Sequence, residues 1–182
     1  TCSVYPIDGD QPLCRFTRHS RAVLDGQLLP DSRTVVTASR DQTLRVWHSD
    51  SAESIRNMHH HSGDVLALAV RPDAGPLPMI ASASDDFTVR LWQPTIGRMV
   101  RFLRLDSQPL CLAWLDGGRK LIAGCQDGSA RWIDPDNVRV LRTTAVSPAW
   151  LNCVATETGT ETGTGPQAWF GTLDGKLVPV AC

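Results

Sequence analysis

No stretch of this 182-residue sequence is apolar for the ~20 residues that a membrane-crossing helix needs; runs such as Val65-Leu66-Ala67-Leu68-Ala69-Val70 stop well short. No charge of one sign dominates, since 18 Lys and Arg face 19 Asp and Glu for a net charge of −1. Without a basic excess, nothing supports non-specific nucleic-acid binding. No two cysteines stand as C-x-x-C, and none of Cys2, Cys14, Cys111, Cys125, Cys153 and Cys182 lies at metal-ligand spacing from a histidine. Cys111, Cys125 and Cys153 sit inside apolar stretches, where a thiol behaves as a small hydrophobe. Buried or free thiols are expected, the alternative being disulfides in an oxidising compartment. No basic-then-apolar leader follows Thr1, so no signal peptide is visible, the alternatives being a cleaved leader or a fragment; the location expected is cytoplasmic. Helical periodicity is missing throughout; short runs rich in β-branched residues, bounded by turn signals, dominate instead.

What is present is a repeat. Thr43-Leu44-Arg45-Val46-Trp47 aligns with Thr88-Val89-Arg90-Leu91-Trp92. Each copy follows a small-residue strand and an aspartate: Thr37-Ala38-Ser39-Arg40-Asp41 in one case, Ser82-Ala83-Ser84-Asp85-Asp86 in the other. The aspartate stands six residues before the Trp in both, the two Trp are 45 apart, and His19 and His61 are 42 apart. Two weaker copies follow. Ala123-Gly124-Cys125-Gln126-Asp127 leads to Arg131-Trp132-Ile133, with Ile133 in the Trp register, and Phe170-Gly171-Thr172-Leu173-Asp174 leads to Leu177-Val178-Pro179-Val180. The register aspartates Asp41, Asp86, Asp127 and Asp174 are thus separated by 45, 41 and 47 residues. A period in this range belongs to four-stranded propeller blades.

The fold class expected is therefore all-β: a β-propeller of four-stranded antiparallel blades, about four blades' worth of strands, possible as an incomplete propeller. The expected division is a partial blade at 1–17, blades at 18–59 and 60–105, a degenerate blade at 106–144 and a partial degenerate blade at 145–182. Strands are expected at 2–7 and 12–17, then 21–29, 33–39, 43–47 and 54–58. They continue at 64–70, 78–84, 88–93 and 98–105, at 109–115, 120–126, 129–134 and 137–143, and at 150–156, 167–173 and 176–181. Asp116-Gly117-Gly118, Asp127-Gly128 and Asp174-Gly175 mark hairpin turns. The polar, low-complexity segment Thr156–Gly165 reads as a flexible loop between the first two strands of the last blade.

These residues resemble the WD-repeat family, strongly over 19–94 and weakly beyond. The phrasing of the repeats resembles bacterial-type WD-repeat proteins, and the chain is expected to be a fragment or C-terminal portion of one. The resemblance implies a structural tetrad in each good blade: His19, Thr37, Asp41 and Trp47 in the first, His61, Ser82, Asp86 and Trp92 in the second. Blade three keeps Asp127 but has Ala123 and Ile133 at the hydroxyl and Trp positions, and blade four keeps only Asp174. The dipeptide Trp-Asp is absent, since Trp47 precedes His48 and Trp92 precedes Gln93. A buried turn needs its polar groups paired, and an Asp–His–hydroxyl–indole relay pairs them with each donor facing an acceptor.

His19, Thr37 and Asp41 also read as base, nucleophile and orienter. The same set recurs one blade on with a Trp completing it, which fits architecture, so no catalytic residues and no enzyme activity are expected. His59-His60-His61 cannot all converge on a metal without a loop, because neighbours in a strand point to opposite faces, and His61 already fills the tetrad position; a structural or loop role is favoured, and no metal or cofactor is expected. Arg98, Arg101, Arg104, Arg139 and Arg142 read as a solvated outer face, or as a basic strip for an acidic partner. Trp114, Trp132 and Trp169 read as packing, while Trp150, after a Ser-Pro turn, either packs or stands on a loop.

The function expected is a non-catalytic scaffold for protein–protein interaction. The resemblance implies partner docking on the loops before each first strand and between the second and third strands, with Arg18, Arg21, Arg40, Asp64, Asp85, Gln108 and Gln126 as partner-face candidates. No nucleic-acid or membrane partner is expected, and an open propeller would expose apolar faces that favour self-association. The alternative function is a regulatory or sensory segment of a larger multidomain bacterial enzyme or signalling protein.

Overall fold

A computed structural model describes residues 2–5, 8–72, 75, 77–157 and 167–181. Strands fill it. β1 (Cys2–Val4) and β2 (Cys14–Phe16) pair with each other in a two-stranded sheet. β3 (Val23–Leu28), β4 (Thr34–Ser39), β5 (Thr43–His48) and β6 (Ser54–His59) form the first four-stranded blade. β7 (Val65–Val70), β8 (Ile80–Ser84), β9 (Thr88–Gln93) and β10 (Arg98–Arg104) form the second. β11 (Pro109–Leu115), β12 (Lys120–Cys125), β13 (Ser129–Asp134) and β14 (Arg139–Ala145) form the third. β15 (Leu151–Glu157), β16 (Gln167–Thr172) and β17 (Leu177–Ala181) form a fourth, three-stranded one.

Every blade is an antiparallel meander in chain order, as short strands with tight turns between them require. One irregularity recurs in all four: the register between first and second strands slips at Val23/Asp25, Val65/Ala67, Pro109/Cys111 and Leu151/Cys153. A bulge at the same place in each copy marks blades three and four as true copies despite their weak sequences.

The core lies between the blades. Strand residues alternate, one face of each sheet packing on the preceding sheet and the other on the following one. Leu44 and Val46 of β5 meet Leu68, Ile80 and Trp92 of blade two. Val89 and Leu91 of β9 meet Leu112, Trp114 and Leu121 of blade three. Ile122 and Trp132 meet Leu151 and Phe170 of blade four. Trp47 is covered by Phe16 from β2, with ring centroids 5.0 Å apart. Hydrogen bonds add to the apolar stack: Leu68 N–H donates to Asp25 Oδ2 at 2.7 Å, and Trp114 Nε1 to the Ala69 carbonyl at 3.0 Å.

The sheets do not close into a ring: β1 and β2 stack on blade one and leave the fourth blade three-stranded among the described residues. Most of the expected segment Thr156–Gly165 lies outside the described residues, though Thr156 and Glu157 extend β15. The third blade reaches Ala145, one residue past its expected end. Cys2, Cys14, Cys111, Cys125 and Cys153 are free thiols, and burial pushes Cys111 and Cys125 up to about 12. Among the described residues, no helix is long and apolar enough to cross a membrane.

Candidate functional site

The first strand of each blade begins where its second strand ends, so the loop before the first strand and the turn after the second meet at one end of the sheet. A backbone hydrogen bond ties them in all four blades. The N–H of Arg40 donates to Ala22, that of Asp85 to Asp64, that of Gln126 to Gln108, and that of Leu173 to Trp150, each at 2.9 Å. In every case the donor residue immediately precedes the register aspartate. These four stations form a rim, each lying one residue before its register aspartate, whose side chain is buried in blades one and two and more open in blades three and four.

In blade one the aspartate sits in a complete relay. His19 Nδ1 lies 2.8 Å from Asp41 Oδ2, His19 Nε2 lies 2.7 Å from Thr37 Oγ1, and Trp47 Nε1 donates to the same hydroxyl at 2.8 Å. Blade two repeats this. His61 Nδ1 is 2.8 Å from Asp86 Oδ2, His61 Nε2 is 2.7 Å from Ser82 Oγ, and Trp92 Nε1 donates to Ser82 at 2.8 Å. The bonds have one consistent direction. The indole donates to the hydroxyl, the hydroxyl to Nε2, and Nδ1–H to the carboxylate, which requires a neutral imidazole. Burial holds both histidines below their ordinary range, against the opposing pull of their aspartates. Burial alone would raise Asp41, but hydrogen bonds from Thr43, His19 and Ser20 bring it down to about 2. Asp86 is held low in the same way by His61, Thr88 and Ser62.

Two members of each network escaped the sequence reading. Thr43 and Thr88 donate both backbone N–H and hydroxyl to Oδ1 of the aspartate two residues earlier, the hydroxyls at 2.7 and 2.6 Å. Ser39 and Ser84 accept from the N–H of Asp41 and Asp86 at 3.1 and 3.2 Å. The readable signal was Asp-x-Thr after Ser in both strong copies.

Blade three solves the same problem with a different partner. Ser107 Oγ accepts from Asp127 N–H at 3.2 Å, and Ser129 plays the part of the threonine, donating to Asp127 Oδ1 at 2.7 Å. Arg131 takes the place of the histidine. Its Nη2 donates to Asp127 Oδ2 at 2.8 Å, its Nε donates to Asp106 Oδ1 at 2.9 Å, and its side chain is only 3% exposed. Asp127 keeps the guanidinium charged, and burial is offset for Asp127 by its bonds to Arg131 and Ser129. In blade four Asp174 is exposed, bonded to the Thr172 hydroxyl and paired with Lys176 Nζ at 2.7 Å.

The residue after each register aspartate is left-handed in every blade: Gln42 at φ 69°, Phe87 at 66°, Gly128 at 75° and Gly175 at 80°. Gly128 is also hemmed in. A Cβ there would come within 1.8 Å of the Ser147 carbonyl, while Gly128 O accepts from Val146 and Ser147 N–H at 3.0 Å. The segment leading to Trp150 is thereby pinned to the blade-three turn.

On the rim, Arg18, Arg21, Arg40 and Asp85 are exposed, while Asp64, Gln108 and Gln126 are half-buried. Arg40 Nε lies 3.7 Å from Asp64 Oδ2, joining blades one and two. Trp150 and Leu173, at 43% and 60% exposed, occupy the corresponding station of blade four; neither stood among the partner-face candidates. The fixed offset from Asp174 would have found Leu173. His59 and His60 are exposed and apart from the relay, the latter against Trp92 at 5.8 Å. No group of acidic, histidine or cysteine side chains among the described residues could hold a metal ion. Arg98, Arg101, Arg104, Arg139 and Arg142 are all exposed on outer strands, and Arg142 lies 4.5 Å over the Trp132 ring.

A stack of bulged antiparallel meanders, the first two locked by Asp–His–hydroxyl–indole relays, defines the β-propeller class. The family model described as "WD domain, G-beta repeat" matches residues 10–48 and 52–93, so the chain carries WD repeats. Each match runs from the outer strand of one sheet through the third strand of the next, β2 to β5 and β6 to β9. The chain is similar to a guanine nucleotide-binding protein subunit beta from Oryza sativa subsp. indica, 30% identical over 73% of this chain and 38% of that protein. It is similar to eukaryotic translation initiation factor 3 subunit I from Neurospora crassa, 27% identical over 57% of this chain and 29% of that protein. A third relative is the U5 small nuclear ribonucleoprotein 40 kDa protein from Dictyostelium discoideum, 28% identical over 65% of this chain and 33% of that protein. The chain spans about a third of the length of these curated relatives. All three are eukaryotic, so the bacterial character expected from the repeats finds no support in them.

Proposed function

We propose that this chain is a non-catalytic interaction platform that docks a protein partner on the rim formed by the four stations. The carrying observation is the recurrence of one 2.9 Å backbone bridge in every blade with a different outward residue each time. The scaffold is repeated while the displayed chemistry varies, which is what a recognition surface needs. The relatives support the reading through their names, two being subunits and one a ribonucleoprotein component. A role as a regulatory or sensory segment of a larger enzyme is the less favoured reading, and the hydroxyls of Thr37 and Ser82 argue against an active site there. Both are fully buried and already engaged by histidine and indole, so neither is open to a substrate. The partner-face set proposed is Arg18, Arg21, Arg40, Asp64, Asp85, Gln108 and Gln126. Capture of partners from cell extract with wild-type chain and with an R40E/D85R variant tests it. Loss of a defined protein from the variant's capture is expected, and unchanged recovery of every protein would contradict the reading.

A further inference from the structure

The outer strands carry a charge that the chain as a whole does not. Net charge is −1, yet β6, β10 and β14 hold Arg56, Arg98, Arg101, Arg104, Arg139 and Arg142 and no Asp or Glu. Charged edges deter sheets from pairing edge to edge, and a row of one sign still admits a strand of the other. The three edges are not equally open. Two of the six residues of β6 are exposed, four of the seven of β10, and six of the seven of β14. On the first two edges arginines are spent on the protein itself. Arg56 Nε donates to the Thr95 carbonyl at 3.1 Å, Arg104 Nη1 to the Asp86 carbonyl at 3.4 Å, and Arg98 Nη2 to Gln93 Oε1 at 2.7 Å.

On β14 the arginines are held ready. Arg142 lies 4.5 Å over the Trp132 ring, and its Nε donates to Thr144 Oγ1 at 2.9 Å. Those contacts fix the side chain and leave both terminal nitrogens, which together fit the two oxygens of a carboxylate, without a partner among the described residues. Arg139 Nε is 3.6 Å from Asp134 Oδ2, longer than a hydrogen bond, and that carboxylate is already taken by the N–H groups of Asp136 and Asn137 and by the Asn137 amide. A bulge at Leu141 aligns the two. Arg139 stands opposite Asp134 and Arg142 opposite Trp132, two residues apart on β13, so both arginines share one face of the sheet. Val140, opposite Ile133, takes the other face and is 39% exposed.

We propose that the β14 edge docks an extended acidic segment of a partner protein, laid along the strand with its carboxylates on Arg139 and Arg142. A segment alternating acidic and apolar residues presents carboxylates to the arginine face and apolar side chains to the Val140 face. Its backbone meets the N–H and C=O groups of β14 that point away from β13, since β14 ends its sheet. Nucleic acid fits this edge less well, because β14 has no aromatic ring for a base to stack on. An anionic membrane would meet a chain that is itself net negative. The β14 edge is separate from the loop-end rim, and its docking does not depend on a partner there.

The test is anisotropy titration of the whole chain against a fluorescein-labelled peptide alternating Glu with Val, beside a Lys–Val peptide, labelled oligothymidine and phosphatidylserine vesicles. Binding of the Glu–Val peptide in preference to the other three is expected. R139E/R142E should weaken it about tenfold or more, and R142K, which keeps the charge and loses the fork, about threefold. R98E/R101E makes the same change of charge on the neighbouring edge and should weaken it about twofold at most. Urea midpoints check that the variants fold, and R142K decides the matter should R139E/R142E not do so. Equal losses in R139E/R142E and R98E/R101E, full affinity in R142K, or failure of the Glu–Val peptide to bind would overturn the site. Tighter binding of the oligothymidine or the vesicles than of the peptide would overturn the class of partner.

Discussion

Blades one and two hold their register aspartate with a histidine; blade three holds it with an arginine. The arginine was available all along. Arg45, Arg90 and Arg131 stand four residues after Asp41, Asp86 and Asp127. Arg45 leaves its buried Nε without a partner, Arg90 reaches Asp86 Oδ2 only at 3.5 Å, and Arg131 closes to 2.8 Å. Where the histidine is present the arginine stands off, and where it is missing the arginine moves in. The turn demands a counter-donor for its carboxylate, and the fold accepts either one. The two differ in chemistry: the histidine relay requires a neutral ring, whereas the guanidinium is charged at any ordinary pH.

The largest expected effect comes from removing the aspartates. Asp86→Ala strands the His61 N–H and the Thr88 and Ser62 donors and should cost about 3 kcal/mol or more. The Asp127 side chain is 43% exposed, and Asp106 remains to pair with Arg131, so Asp127→Ala should cost about 1–2 kcal/mol. Urea midpoints of the two variants measure the difference, and equal losses would break the comparison.

Next come the glycines. Gly128→Ala meets both the left-handed backbone and the Ser147 carbonyl, and should cost about 3 kcal/mol, with the Trp150 segment displaced. Gly175→Ala meets only the left-handed backbone, with no atom within 4 Å, and should cost about 1 kcal/mol. Thermal melts of both would show whether the blade-three turn is the tighter one.

A smaller effect follows from pH. The histidines are held below their unfolded value, so as pH falls through 6.5 the unfolded chain takes up protons that the folded chain refuses. Stability present above that pH should decline from pH 7 to 5. A second loss should set in below 3.8 as pH falls toward about 2, where Asp41 protonates. The H19Q/H61Q variant should lose most of the first slope, read as Tm against pH, and an unaltered slope would place its origin elsewhere.

Much of the architecture was legible because strand patterning and turn residues agreed. The alternation in Thr43–Trp47 and Thr88–Trp92, and the Gly turns of the weak blades, placed every blade strand. The arginine lock was not legible. Only geometry distinguishes Arg131 from Arg45, since all three arginines share one register. The left-handed residues Gln42 and Phe87 carry no glycine to announce them. Trp150 after Ser-Pro read as packed or as standing on a loop, and it is exposed; its place beside Leu173 on the rim was not legible, because a lone Trp gives no sign of the backbone bridge that seats it there. The two leading strands read as part of an earlier blade or as the completion of the last one; β2 covers Trp47 of blade one, β1 stops at Val4, and residues 6 and 7 of the expected 2–7 lie outside the described residues.

The most direct measurement is nitrogen NMR of the ring nitrogens of His19 and His61 at neutral pH. A protonated Nδ1 and an unprotonated Nε2 in both rings, persisting below pH 6.5, is the expected result. A proton on Nε2 with none on Nδ1, or a doubly protonated ring at pH 7, would contradict the neutral relay that fixes the rim.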